Sequence, residues 1–221
     1  MKFLYVLFSA TPYKIGSFIR HMLNNRYNHV SISFDEDLSE MYSFSRRHEN
    51  TPFFGGIVHE SFCRFERNGI SSDIKVCRIP VSDRQYEFLK NHTEKMLQQS
   101  DQYVYNYYSA AVTPLRHRIR IRNAYTCVEF VGDLLAMINF GGLKFGGFHS
   151  LPELERKCAA YAIYEDSSRK YPGANVWTGD KFRFKMPIST GIAVTAVSFG
   201  KLTKRGVQDA CRYVSDKFSS L

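Results

Sequence analysis

Tyr125-Thr126-Cys127-Val128-Glu129-Phe130-Val131-Gly132-Asp133-Leu134-Leu135-Ala136-Met137-Ile138-Asn139-Phe140, closed by Gly141-Gly142, is the stretch around which the chain is organised. Apolar residues at 128, 131, 134, 135 and 138 recur at the spacing of a buried helix face, and a glycine pair is a natural C-terminal stop. The pattern predicts a helix of about four turns. Thr126 followed three residues later by Glu129 reads as a capping box, in which each side chain satisfies a free backbone N–H. Cys127 is then the first residue of the helix proper. A thiol there sits where unpaired N–H groups and the helix dipole concentrate positive potential, which favours its thiolate, and the same N–H groups can hold an oxyanion. A buried cysteine is also a common small hydrophobe, so chemistry at this position requires a partner base.

The 221 residues suffice for one sizeable core, or for a main domain with an appended subdomain. A hydrophobic share of 44%, with 18 Phe and 14 Tyr, excludes a disordered chain. No run approaches the roughly eighteen apolar residues of a membrane span, so no transmembrane segment is expected. The opening Met1–Ala10 has too short an apolar part for a signal peptide and lacks a small-x-small cleavage pattern; it reads as a first strand. The cysteines at 63, 77, 127, 158 and 211 are odd in number, widely spaced and without a C-x-x-C pair. That argues against a disulfide framework and a structural zinc site, and for a reducing compartment, the cytoplasm. Neither a metal nor a cofactor is expected. The net charge of +9 predicts attraction to acidic surfaces such as nucleic acid, anionic lipid or acidic peptide without selecting one, and no dedicated nucleic-acid partner is expected.

Residues 3–9 are followed by Thr11-Pro12, an N-cap and first-turn proline that predict a helix to about Leu23, with Ile15, Phe18, Ile19 and Met22 as its buried stripe. His29-Val30-Ser31-Ile32-Ser33-Phe34 alternates polar and apolar, so His29 begins a strand on the face of Ser31 and Ser33. Residues 40–45 form the return arm of a hairpin pivoting near Asp37. Reflecting His29 through that pivot lands near Ser43 to Ser45, which places a hydroxyl beside the imidazole. Residues 57–65 and 73–79 read as further strands, and Ser82-Asp83-Arg84-Gln85 as a second capping box. The cluster Tyr103-Val104-Tyr105-Asn106-Tyr107-Tyr108 reads as core and rim packing. Arg116, Arg118, Arg120 and Arg122 then share one face at strand periodicity, either a solvated edge or an acidic-ligand lip. Ser150-Leu151-Pro152-Glu153 starts a short helix, and residues 161–164 a strand. Beyond a loop at 166–180, strands at 181–186 and 192–199 and a helix from Thr203, bearing Val207, Cys211, Val214 and Phe218 on one face, are expected.

A strand histidine with a polar partner across a hairpin, and a cysteine at a helix start, are the parts of a thiol nucleophile, its base and an orienting group. Their order, with His29 about a hundred residues before Cys127, resembles the circularly permuted papain-fold cysteine hydrolases of the NlpC superfamily. The YiiX/YaeF branch, related to lecithin:retinol acyltransferases, is the nearest in pattern. Tyr27-Asn28-His29-Val30-Ser31-Ile32 is similar to that family's His-Val-x-Ile strand, and Tyr125-Thr126-Cys127-Val128-Glu129-Phe130-Val131 to its Cys-Ser-Glu-Phe/Leu-Val helix start. Tyr105-Asn106 and Leu151-Pro152-Glu153-Leu154 are lesser echoes.

The resemblance implies an α+β fold, an antiparallel sheet packed against the central helix that carries the cysteine, over residues 1–165. Residues 166–221 follow as a strand-strand-helix extension on the same domain. It further implies Cys127 as nucleophile, His29 as general base and the Cys127 N–H in an oxyanion hole, with no metal or nucleotide. The third position departs from the family's usual His, Glu, Gln or Asn. Ser43 is the choice here, with Ser45, Glu40 and Glu60 as alternatives. The implied activity is hydrolysis or acyl transfer on an amide, ester or thioester of a small molecule, peptide or lipid; the alternative is an inactive binding module for an acidic ligand.

Overall fold

Lys2–Ser9 (β1) reads as an unbroken apolar run because it is covered on both faces. Leu4, Val6 and Phe8 face one core; Tyr5 and Leu7 face another. The computed structural model of the chain describes residues 1–13, 25–172 and 179–219, so the helix expected to Leu23 lies outside the described residues. It is a mixed α+β fold. Around β1 stand His29–Ser33 (β2), Met41–Arg46 (β3), Gly55–Glu60 (β4), Asp73–Val81 (β5) and Ala162–Ser167 (β6). They form one six-stranded sheet in the order β6-β5-β1-β2-β3-β4. Every neighbouring pair is antiparallel. The register Ile32–Tyr42 and Ser33–Met41 turns the β2–β3 hairpin about Asp37, as its sequence predicts.

The described α-helices are Asp83–Gln98 (α1), Tyr107–Val112 (α2), Cys127–Met137 (α3), Leu151–Cys158 (α4) and Ile188–Ser219 (α5). Phe130, Val131, Leu134 and Leu135 of α3 share a core with Val30, Ile32, Phe44 and Ile57 of the sheet, and with Leu89 and Met96 of α1. Each such side chain fully buried contributes about 1.5–3 kcal/mol, which fixes α3 against β2 and β3. The helix has fewer turns than its periodicity predicts. Asn139 adopts a left-handed φ of 58°, and Phe140–Gly142 forms a separate 3-10 turn. A left-handed residue is where a helix terminates.

Three strand expectations are corrected. Residues 57–65 do not form one strand: β4 ends at Glu60, and Phe62–Phe65 is a 3-10 turn. Lys181–Arg183 is likewise a 3-10 turn, and 192–199 belongs to α5. The β-branched residues of 192–199 mimic strand alternation, but Ser198 and Leu202, four apart, are the positions that pack. Leu202 seats among Val104, Ile121 and Ala124, and this tertiary contact overrides local propensity. The face bearing Val207 and Cys211 is exposed, so it is not the packed stripe expected of it. The boundary drawn at 165 falls inside β6. Among the described residues no helix is long and apolar enough to cross a membrane.

Candidate active site

The N-terminus of α3 is built as its sequence specifies. Thr126 Oγ1 accepts from the Glu129 N–H at 3.2 Å, and Glu129 Oε2 accepts from the Thr126 N–H at 2.7 Å. Ser109 of α2 donates to the other Glu129 oxygen, which ties the two helices together. Because the box occupies the N–H groups of Thr126 and Glu129, those of Cys127 and Val128 are the first-turn donors left at the helix end. Cys127 is only 6% exposed.

His29 opens β2 at the end of the strand beside this helix terminus. Its Nε2 lies 3.0 and 3.1 Å from the two carboxylate oxygens of Glu60, at the end of β4. Ser31 Oγ donates to Glu60 Oε2 at 2.5 Å. With Nε2 so engaged, the imidazole still lies near enough to Cys127 for the two groups to interact electrostatically, and both line the same cavity. Burial opposes a charge on His29, but the Glu60 and Cys127 charges outweigh it and raise the imidazole to about 10. Burial likewise pushes Glu60 up, and is outweighed by His29, Arg64 and Ser31, which hold the carboxyl down to about 2. Both directions favour the ion pair, so at neutral pH the ring is an imidazolium held by a carboxylate.

Arg64 stands 4.0 Å from Glu60 but spends its guanidinium elsewhere. Nε and Nη2 donate to Asp180 at 2.5 and 2.9 Å, and Nη1 donates to the Arg46 carbonyl at 2.7 Å. Cys127, His29, Glu60 and Arg64 all line one cavity of about 210 Å³, with Phe44, Phe53, Phe65, Phe182, Tyr13 and Tyr107 as its apolar walls. A smaller cavity of about 70 Å³ opens on the other side of Cys127, between Val128, His117 and Phe148. Tyr105 lines both cavities beside the thiol, and burial together with the Cys127 charge pushes its phenol upward, so it stays protonated.

Two expectations about site residues are corrected. Ser43 does not orient His29: it is buried in β3 with its hydroxyl unpaired, and Glu60 takes that position. The β2–β3 pairing stops at Ile32–Tyr42, short of His29, so the reflected hydroxyl is not held against the ring; the longer carboxylate of the next strand reaches instead. Glu40 is engaged by Lys90, and Ser45 lies within reach of Arg64 Nη1. The arginine row is not a strand. Arg116 ends a 3-10 turn with a left-handed φ of 55°, and Arg118 turns inward to hold Asp133 through two bonds of 2.9 and 2.8 Å. Arg122 offers its backbone N–H to Asp209 of α5. Arg118 is therefore not available to a ligand.

Sequence reasoning undervalued Glu60, and it assigned Arg64 and Asp180 no part. The available signal for Glu60 was a carboxylate closing the strand-like stretch Ile57-Val58-His59-Glu60. Arg64 and Asp180 lie far apart along the chain, and only the tertiary fold shows their pairing. Among the described residues no cluster of His, Cys, Asp and Glu is arranged to hold a metal ion. In comparisons with known proteins, no protein-family model matches the chain, and neither a curated protein nor a solved structure matches it significantly.

Proposed function

We propose that the chain is a cysteine hydrolase or acyltransferase with a permuted papain-like, NlpC-type arrangement, acting on an amide, ester or thioester. The observation that supports it most is the meeting of Cys127, at the start of α3, with His29 backed by Glu60, on the wall of one apolar cavity. In this reading the Cys127 thiolate attacks the substrate carbonyl carbon, and the carbonyl π electrons move to oxygen. The N–H groups at the helix end receive that oxyanion. As the tetrahedral intermediate collapses, the bond to the leaving group breaks and imidazolium His29 gives it a proton, leaving a thioester on Cys127. His29, now neutral, takes a proton from water or another acceptor as that acceptor attacks the thioester. The thiolate then departs and the imidazolium is regenerated. Glu60 keeps the ring oriented and stabilises its charge in both half-reactions.

A binding module without chemistry would draw on an unsuitable third residue and a free arginine row. Glu60 as orienting group and Arg118 paired with Asp133 weigh for the enzyme instead. Iodoacetamide labelling followed by peptide mapping tests the proposal. Cys211 is exposed and Cys127 buried, so accessibility alone favours Cys211. An activated nucleophile reverses that order, with Cys127 modified first and His29→Ala removing its lead. Labelling that simply tracks exposure overturns the proposal.

A further inference from the structure

Resting on that reading, we propose that the substrate carries an anionic group, a carboxylate or a phosphate, that docks on Arg46 inside the cavity leading to Cys127. Arg46 lies at the end of β3 and lines that cavity. Its guanidinium is sandwiched against apolar rings, 4.7 Å from the centre of Tyr13 and 5.5 Å from that of Phe182. Of its five N–H donors, the bond made among the described residues is from Nη1 to the Glu49 carbonyl at 3.1 Å. No carboxylate forms an ion pair with it among the described residues. The segments 14–24 and 173–178 contain no Asp or Glu that could supply one.

The other cations on this cavity wall each hold a carboxylate. His29 is paired with Glu60, and Arg64 with Asp180 at 2.5 Å. Arg46 is therefore the cation without an ion-paired carboxylate, in a setting where burial lowers the proton affinity of its guanidinium and Arg64 adds to the repulsion, against a smaller opposing pull from Tyr13, Tyr107 and Glu49. A partly buried charge without a counter-ion is costly, and a fork of donors facing a cavity suits the two oxygens of a carboxylate or phosphate. Apart from Thr11, Asn28 and Ser45, the rest of the lining is hydrocarbon and aromatic, so the body of the substrate between its anion and its reacting carbonyl is mainly apolar.

The experiment uses hexanoate, hexyl phosphate and hexanol as competitors against iodoacetamide labelling of Cys127, with titration calorimetry of hexanoate and hexyl phosphate on the Cys127→Ser chain. At least one of the two anions should protect Cys127 at a concentration about tenfold or more below that of hexanol, and which one does so separates a carboxylate ligand from a phosphate ligand. Arg46→Gln should abolish the difference, Arg46→Lys should retain part of it, and thermal melting should show both variants folded. Equal protection by hexanol and both anions, or undiminished anion binding by Arg46→Gln, overturns this inference. Because calorimetry reads the anion site without using the thiol, failure of Cys127 to label ahead of the other cysteines counts against the hydrolase alone.

Discussion

Two buried clusters flank Cys127, and each contains a histidine, an arginine and two carboxylates. On the sheet side His29, Glu60, Arg64 and Asp180 are linked in series. On the far side, Arg118 grips Asp133 and approaches Glu129 to 3.3 Å, Asp133 accepts the Gly146 N–H, and His149 sits 3.4 Å from Asp133. The difference lies in where each arginine is committed. Arg118 saturates the carboxylate that its histidine would need. Arg64 is drawn away by Asp180, so the Glu60 charge remains for His29. The His149 ring rests on Gly132 of α3, where a Cβ would meet it at 2.4 Å, and serves as packing. The same inventory of side chains thus yields an ion-paired imidazolium beside the thiol in one place and a scaffold in the other.

If that contrast holds, the largest kinetic effect comes from the first cluster. His29→Ala should slow acylation of Cys127, followed with an activated ester, by about 10²–10⁴. The second cluster should show itself in stability. Arg118→Met leaves two buried carboxylates uncompensated and should cost about 3–5 kcal/mol in urea unfolding, while the folded fraction still labels at Cys127 before Cys211. Loss of reactivity without loss of stability in Arg118→Met would erase the distinction.

The pH dependence sharpens it further. His29 is raised from 6.5 to about 10, so its contribution to stability is complete below pH 6.5 and is lost as pH rises towards 10. Glu60 is lowered from 4.5 to about 2, so its contribution is complete above pH 4.5 and is lost as pH falls towards 2. The stability difference between the native chain and His29→Gln should therefore be greatest between pH 4.5 and 6.5 and shrink on both sides; a flat difference contradicts the pairing. Asp180→Asn should release Arg64 towards Glu60 and lower the His29 pKa by about one unit, seen in the imidazole NMR titration. An unmoved titration would mean that Asp180 only braces the wall. Smallest is Ser43→Ala, which removes an unpaired buried hydroxyl. It should leave reactivity unchanged and stability within about 1 kcal/mol.

Much of this was legible from local pattern. The capping box at Thr126 and Glu129, the strand start at His29 and the hairpin pivot at Asp37 are each set by residues a few positions apart, and each is found in the fold. What local pattern could not supply is a side chain that arrives from another strand. Ser43 was favoured because reflection treats the hairpin as paired along its whole length, whereas the strands separate before His29. The arginine row shows the same limit: alternation placed Arg118 with its neighbours, but the buried Asp133, two turns into α3, draws it inward. In α5 β-branched alternation competed with helical spacing, and contacts made with Val104 and Ile121, far upstream in the chain, decided between them.

Asp180 and Phe182 lie in the last quarter of the chain, yet one clamps Arg64 and the other walls the cavity. A chain shortened to its first 165 residues would retain Cys127, His29 and Glu60 while losing part of the cavity wall beside them. Minimal versions made for crystallography or engineering should therefore keep the C-terminal quarter, and swapping that segment, rather than Cys127 and His29, is the direct way to reshape the cavity.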